Sequence, residues 1–224
     1  MRTRRFITVL VAALVVAALA ATAFAVGGLN VVAQKSTVTY PHHAMLRVTT
    51  PAAVAETITI QARPIGGDWS VVKTIPAARA AHGTTFTVSQ KLKVTSGVRA
   101  VQAGIESEVV TIGVKASLSS LSITHKKGGT WTVKGSISPA HALGTSITVK
   151  AWEQTVSGKG KKRAKTLTPL SDLTATVYKT NGQVSWYKTT FTPTAAGTYV
   201  FKAYHSDAGH VESSSKSATA KLKK

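Results

Sequence analysis

Past residue 35 the chain alternates. ETITIQA at 56–62 places Ile58, Ile60 and Ala62 on one side and Thr57, Thr59 and Gln61 on the other. That is the period of two a half-buried strand requires. TSITVKA at 145–151 does the same, with Ile147, Val149 and Ala151 opposite Ser146, Thr148 and Lys150. Short runs of this kind, rich in Thr, Val and Ile and bounded by Gly, Pro or Ser, recur about every ten residues. The spacing of an amphipathic helix is hard to find. The pattern predicts an all-β chain folded as a sandwich.

Two of these stretches recur in order. TSITVKA follows ETITIQA at an offset of 89, and TTFT occurs at 84–87 and again at 189–192, an offset of 105. Two ordered matches predict one sandwich written twice, over residues 36–115 and 116–224, with residues 26–35 as a linker. The offsets differ by 16, which places an insertion at EQTVSGKGKKRAK in the second copy. Alternation assigns Tyr187, Phe191, Tyr199 and Phe201 to the second core and sends Trp152 and Trp186 to the opposite face.

Residues 1–25 are read as targeting sequence rather than fold. MRTRR is a basic leader, FITVLVAALVVAALA an apolar run and Ala23-Phe24-Ala25 a small-x-small cleavage site. Three readings stay open: a cleaved secretory signal peptide, a twin-arginine signal at Arg4-Arg5, and an uncleaved membrane anchor over Phe6 to Val26. Each places the remainder on the extracellular side. The chain has no cysteine, so an exported fold here is held by its cores alone.

PIGGDWSVVKT at 64–74, HGTTFTV at 82–88, VKGSISPA at 133–140 and GTYVFKAYHSDAGHVESSSKSATAKL at 197–222 carry a resemblance. The chain resembles the immunoglobulin-like repeat domains of secreted and cell-surface bacterial proteins, especially actinobacterial ones. The resemblance implies two tandem immunoglobulin-like β-sandwiches. It says little about function, since such modules serve as spacers, adhesins and carbohydrate binders. Both copies lack the cysteine pair of antibody domains.

Charge separates the two halves. The formal net charge is +20; residues 26–113 carry eight Lys and Arg against four acids, residues 114–224 seventeen against four. The densest run is Lys159, Lys161, Lys162, Arg163 and Lys165. It reads either as capture of an anionic extracellular polymer or as a solvated hairpin that blunts edge pairing. Trp152 and Trp186 read either as a stacking platform for a sugar or as edge residues covered by a neighbouring element.

Enzyme chemistry finds no support. There is no thiol, no His-Glu-x-x-His, no Gly-x-Ser-x-Gly and no phosphate-cradling glycine loop. His205-Ser206-Asp207 is read as a polar loop whose side chains point apart. His42-His43 lacks a nearby third ligand, and the dispersed Asp68, Asp172 and Asp207 do not make a calcium site. No catalytic residue, metal or cofactor is expected, nor sequence-specific nucleic acid. The expectation is an exported, non-catalytic envelope protein that binds or spaces. Its expected partner is an anionic cell-wall polymer or polysaccharide or another surface protein, and it meets the membrane only through an uncleaved N-terminal segment. A carbohydrate-binding module using Trp152 and Trp186 is the alternative.

Overall fold

The computed structural model describes residues 28–51, 56–76, 85–125, 129–158 and 163–223, so the targeting segment lies outside the described residues. Among them the chain is all-β. The first half supplies β1 (Asn30–Ala33), β2 (Thr37–Thr39), β3 (His43–Thr49), β4 (Ile58–Pro64), β5 (Ser70–Ile75), β6 (Thr85–Lys91), β7 (Ser96–Gln102), β8 (Ile105–Glu106) and β9 (Val110–Lys115). The second supplies β10 (Ser117–Leu118), β11 (Ser122–His125), β12 (Trp131–Ser138), β13 (Ser146–Ser157), β14 (Ala164–Asn181), β15 (Val184–Phe191), β16 (Gly197–Asp207), β17 (His210–Ser214) and β18 (Ala218–Leu222).

Alternation sets which side of each strand is buried. Along β3, β7 and β12 every second residue is buried, and those residues collect into two hydrophobic cores that divide between Val114 and Ala116. The first is mostly aliphatic, built on Leu46, Ile58, Ile60 and Ile112, with Tyr40 its one buried aromatic among the described residues. The second centres on Trp131, whose ring meets Tyr199 edge-on at 5.3 Å and packs near Phe191 and Phe201 at 6.1 and 6.2 Å. Tyr187, Tyr199 and Phe201 are buried as the pattern predicts, and Phe191 packs against them half-buried. The stretch 26–35, expected as a linker, instead contains a strand. Asn30–Ala33 pairs with Leu46–Thr49, and Leu29 and Val31 enter the first core. Too short to read alone, that strand forms because β3 offers a free edge.

The pairing pattern repeats. β3 pairs β6, β4 lies between β5 and β7, and β7 also pairs β8 and β9; β12 pairs β15, β13 lies between β14 and β16, and β16 also pairs β17 and β18. A serine bond repeats too. Ala100 N–H donates to Ser107 Oγ at 2.9 Å, Ala203 N–H to Ser215 Oγ at 3.0 Å, and each serine N–H donates back to the same alanine carbonyl at 2.9 Å. ETITIQA and TSITVKA fall on corresponding strands, Ile60 facing Ala100 and Val149 facing Ala203. The TTFT pair does not correspond. Thr85–Thr87 opens β6, whereas Thr189–Phe191 closes β15. Strand register makes the enlargement of the second half slightly smaller than the TTFT offset implies, because those facing pairs are offset by 89 and 103. The extra chain is the long β13–β14 ribbon.

Gly135 is required by its neighbour: a Cβ there would fall at clashing distance from the Tyr187 ring and hydroxyl. That hydroxyl is buried without a hydrogen-bond partner among the described residues, and burial pushes its pKa upward. Gly135→Ala is therefore expected to destabilise by about 1–3 kcal/mol through overpacking. Tyr187→Phe is expected to cost nothing, since it removes an unpaired buried polar atom. Urea midpoints of the two variants check both.

Candidate functional site

Two surfaces concentrate chemistry. The first is the outer face of the second half, formed by the residues that alternate with the core. Thr132 and Lys134 of β12, Lys188 and Thr190 of β15, Thr176 and Tyr178 of β14, Lys150 and Trp152 of β13, and Lys202 and Tyr204 of β16 face outward. A bulge between Val177 and Lys179 leaves Tyr178 as the extra residue on its strand and brings Lys179 level with Trp186. Lysines cover the rings: Lys188 Nζ lies 4.7 Å from the Tyr178 centroid, Lys179 Nζ 5.4 Å from Trp186, and Lys202 and Lys150 Nζ 5.1 and 5.5 Å from Tyr204.

Lys134 and Lys188 stand directly opposite each other on β12 and β15. No carboxylate of the described residues forms an ion pair with either. Like charges in facing positions are destabilising, and the aromatic partner that Lys188 has in Tyr178 does not neutralise its charge. The two lysines and Tyr178 line a shallow groove of about 600 Å³ with Thr132, Thr176 and Thr190.

Of the basic run expected at the ribbon, Arg163 and Lys165 are exposed near its tip, while Lys159, Lys161 and Lys162 lie outside the described residues. Trp152 and Trp186 are both half-buried. Trp152 lines another shallow groove, of about 470 Å³, with Lys150, Asp172, Tyr204 and Glu212.

The second surface is a cluster the sequence reading missed. His141 from the β12–β13 loop, His205 and Asp207 at the end of β16, and His210 at the start of β17 bring their ligand atoms within 4.8 Å of one another. His205 and Asp207 do not point apart as expected. Residues i and i+2 share a strand face, and His205 Nε2 lies 3.1 Å from Asp207 Oδ2. A bulge between the two and an Asp207 Oδ1 bond from Gly209 N–H at 2.8 Å turn the chain so that His210 Nδ1 reaches Asp207 Oδ1 at 2.9 Å.

His141 is placed by its backbone. Its N–H donates to Ser185 Oγ at 2.8 Å, and its carbonyl accepts from Thr180 Oγ1 and Ser185 Oγ at 3.0 and 2.9 Å. Its Nε2 lies 3.3 Å from Asp207 Oδ2, near enough for charge interaction, but the alignment makes no hydrogen bond, and the buried nitrogen has no hydrogen-bond partner among the described residues. The cluster also touches the first half. His210 Nε2 donates to Lys93 O at 3.0 Å, and Thr95 N–H donates to Gly209 O at 2.7 Å. His42 is exposed, His43 Nδ1 is engaged with Ser89 Oγ at 2.8 Å, and neither belongs to this group.

Burial pushes the His205 pKa down, the neighbouring His141 adds to this, and the pull of Asp207 does not restore it. Burial raises the Asp207 carboxyl, but the hydrogen bond and charge of His210, then Gly209 N–H and His205, outweigh it and hold the pKa at about 2.

The signal within reach was His205-x-Asp207-x-x-His210, which places three ligand residues around one strand end. His141 stands far earlier in the chain, before two long strands, and carried no signal of its own. Compared with known proteins, the chain matches no family model and no curated protein sequence.

Both pKa shifts carry the same sign for stability. A folded-state histidine with a lowered pKa loses stability as pH falls below the unfolded value of 6.5, and an aspartate held at about 2 loses it between 3.8 and 2. Urea midpoints are expected to fall as pH drops below 6.5 and to fall again between 3.8 and 2, and Asp207→Asn is expected to flatten the second of these falls.

Proposed function

We propose that this chain is an exported, non-catalytic cell-envelope protein made of two immunoglobulin-like β-sandwiches. On this reading the first spans residues 36–115 extended by Asn30–Ala33, and the second spans 116–224 with the long basic ribbon. Support comes from the repeated pairing order and from the paired serine bonds of Ser107 and Ser215. Tyr199 adds to it: its hydroxyl donates to Ala195 O at 2.6 Å, four residues upstream at the corner leading into β16. Immunoglobulin-type sandwiches use a tyrosine in this way at the corresponding corner.

The function that fits best is electrostatic capture of an anionic extracellular polymer. The observation that carries it is the facing couple Lys134 and Lys188 in its groove, neither of them ion-paired with a carboxylate of the described residues. Two lysines in facing strand positions cost stability in the free protein and favour a bound anion that neutralises both. Lysines over Tyr178, Trp186 and Tyr204 extend the cationic surface across the same face, and Arg163 and Lys165 continue it along the ribbon.

Sugar stacking is the second reading, and Trp152 favours it better than Trp186 does. Trp152 opens on the groove shared with Tyr204, whereas Lys179 lies over Trp186.

Salt distinguishes the two, since charge capture is screened and stacking is not. The full chain is expected to bind isolated cell envelopes and soluble polyphosphate at low salt and to release both as salt rises. Lys134→Gln with Lys188→Gln is expected to lose about tenfold in affinity, on the order of 1.4 kcal/mol, with no loss of thermal stability. Unchanged binding in that variant overturns polymer capture at this groove; binding that survives high salt and disappears in Trp152→Ala selects the stacking reading.

A further inference from the structure

We propose that His141, His205, Asp207 and His210 form a Zn²⁺ site that fastens the second half of the chain to the first. A neutral imidazole has one N–H and one lone pair. His141 Nδ1 lies 2.8 Å from Pro139 O, and His210 Nε2 lies 3.0 Å from Lys93 O. A carbonyl only accepts, so each ring spends its proton there. In the neutral rings His141 Nε2 and His210 Nδ1 are then lone pairs aimed at the carboxylate of Asp207 from 3.3 and 2.9 Å, and the hydrogen bond of His210 to Asp207 in the free protein needs a second ring proton, which a bound metal would replace. Two lone pairs facing an anion repel it unless a positive charge lies between them. A proton on each ring supplies that charge for one pair at a time; a divalent cation at the centre supplies it for all the donors together.

The donor set identifies the cation. Three imidazole nitrogens and one carboxylate oxygen suit zinc better than calcium or magnesium, which take oxygen. Zinc bonds of about 2.0–2.1 Å make the edges of a tetrahedral site about 3.3 Å long. Two of those edges are already close to this length: His205 Nε2 and His141 Nε2 lie 3.1 and 3.3 Å from the same oxygen, Asp207 Oδ2, while His210 Nδ1 lies 2.9 Å from Oδ1. All the ligand atoms lie within 4.8 Å, so closure takes side-chain adjustment on the order of an ångström. Four protein ligands fill a tetrahedron and leave no open position, the arrangement of a structural rather than a catalytic zinc.

The outer partners fit as well. Metal-bound histidines donate the other ring N–H to a carbonyl or carboxylate, which fixes tautomer and orientation. Pro139 O and Lys93 O do this for His141 and His210. Lys93 belongs to the β6–β7 connection of the first half. A zinc held by His210 therefore tightens the contact made by that bond, by Thr95 N–H to Gly209 O and by the parallel pairing of Val211 with Lys115.

The test is titration of the full chain, stripped with chelator, with zinc chloride against a chromogenic competitor. The expected result is one zinc per chain, a thermal midpoint raised by excess zinc, and no saturable calcium binding. His141→Ala and His210→Ala are each expected to weaken zinc binding by roughly 100-fold or more, while the His42→Ala/His43→Ala control binds as the native chain does. Cobalt chloride on the unmutated chain keeps the test open if a variant misfolds, because four-coordinate cobalt absorbs strongly in the visible and six-coordinate cobalt weakly. Failure to bind zinc stoichiometrically, loss of binding only in the His42/His43 control, or a weak six-coordinate cobalt spectrum each overturns the site.

Discussion

Burial of every second side chain along the strands is the interaction on which this molecule rests. The chain has no cysteine, so no disulfide closes either half. In the second half the burden falls on Trp131, fully enclosed between Tyr199, Phe191 and Phe201, with His125 stacked on it at 4.7 Å. Aromatic rings bury on the order of 150–250 Å² each and prefer the edge-to-face contacts seen here. The first half achieves closure with aliphatic side chains and with a strand, Asn30–Ala33, added at its edge.

The outer face is the other half of the same alternation. Once Val133, Tyr187, Val177, Val149 and Ala203 are committed to the core, the residues between them are left outward, and there the chain carries lysine and aromatic side chains. Each bulge changes what that face presents. The one at Tyr178 shifts Lys179 onto Trp186, and the one beside Trp152 accommodates Pro169, which has no N–H to give to the ladder.

At the junction of the halves Asp207 gathers His141, His205, His210 and the Gly209 N–H around one carboxylate. Among the described residues few other side-chain bonds cross between the halves; Tyr40 Oη to Gln183 Oε1 at 3.2 Å is one. The polar cluster thus lies where apolar burial is interrupted between the two cores, and hydrogen-bonded charge takes over the positioning there.

Alternation was enough to read the all-β class, the core aromatics Tyr187, Tyr199 and Phe201, and the outward set of Trp152 and Trp186, because a period of two is a local property of strand geometry. It was also enough to match ETITIQA with TSITVKA on corresponding strands. The TTFT match misled because four residues of common strand composition carry no register; only the pairing partners revealed that the two copies sit at opposite ends of their strands. The facing Lys134 and Lys188 and the convergence of His141 with His205, Asp207 and His210 were beyond reach for one reason. Their proximity is made by strand register and loop closure between segments distant in the chain, and no local periodicity encodes which distant residues those contacts bring together.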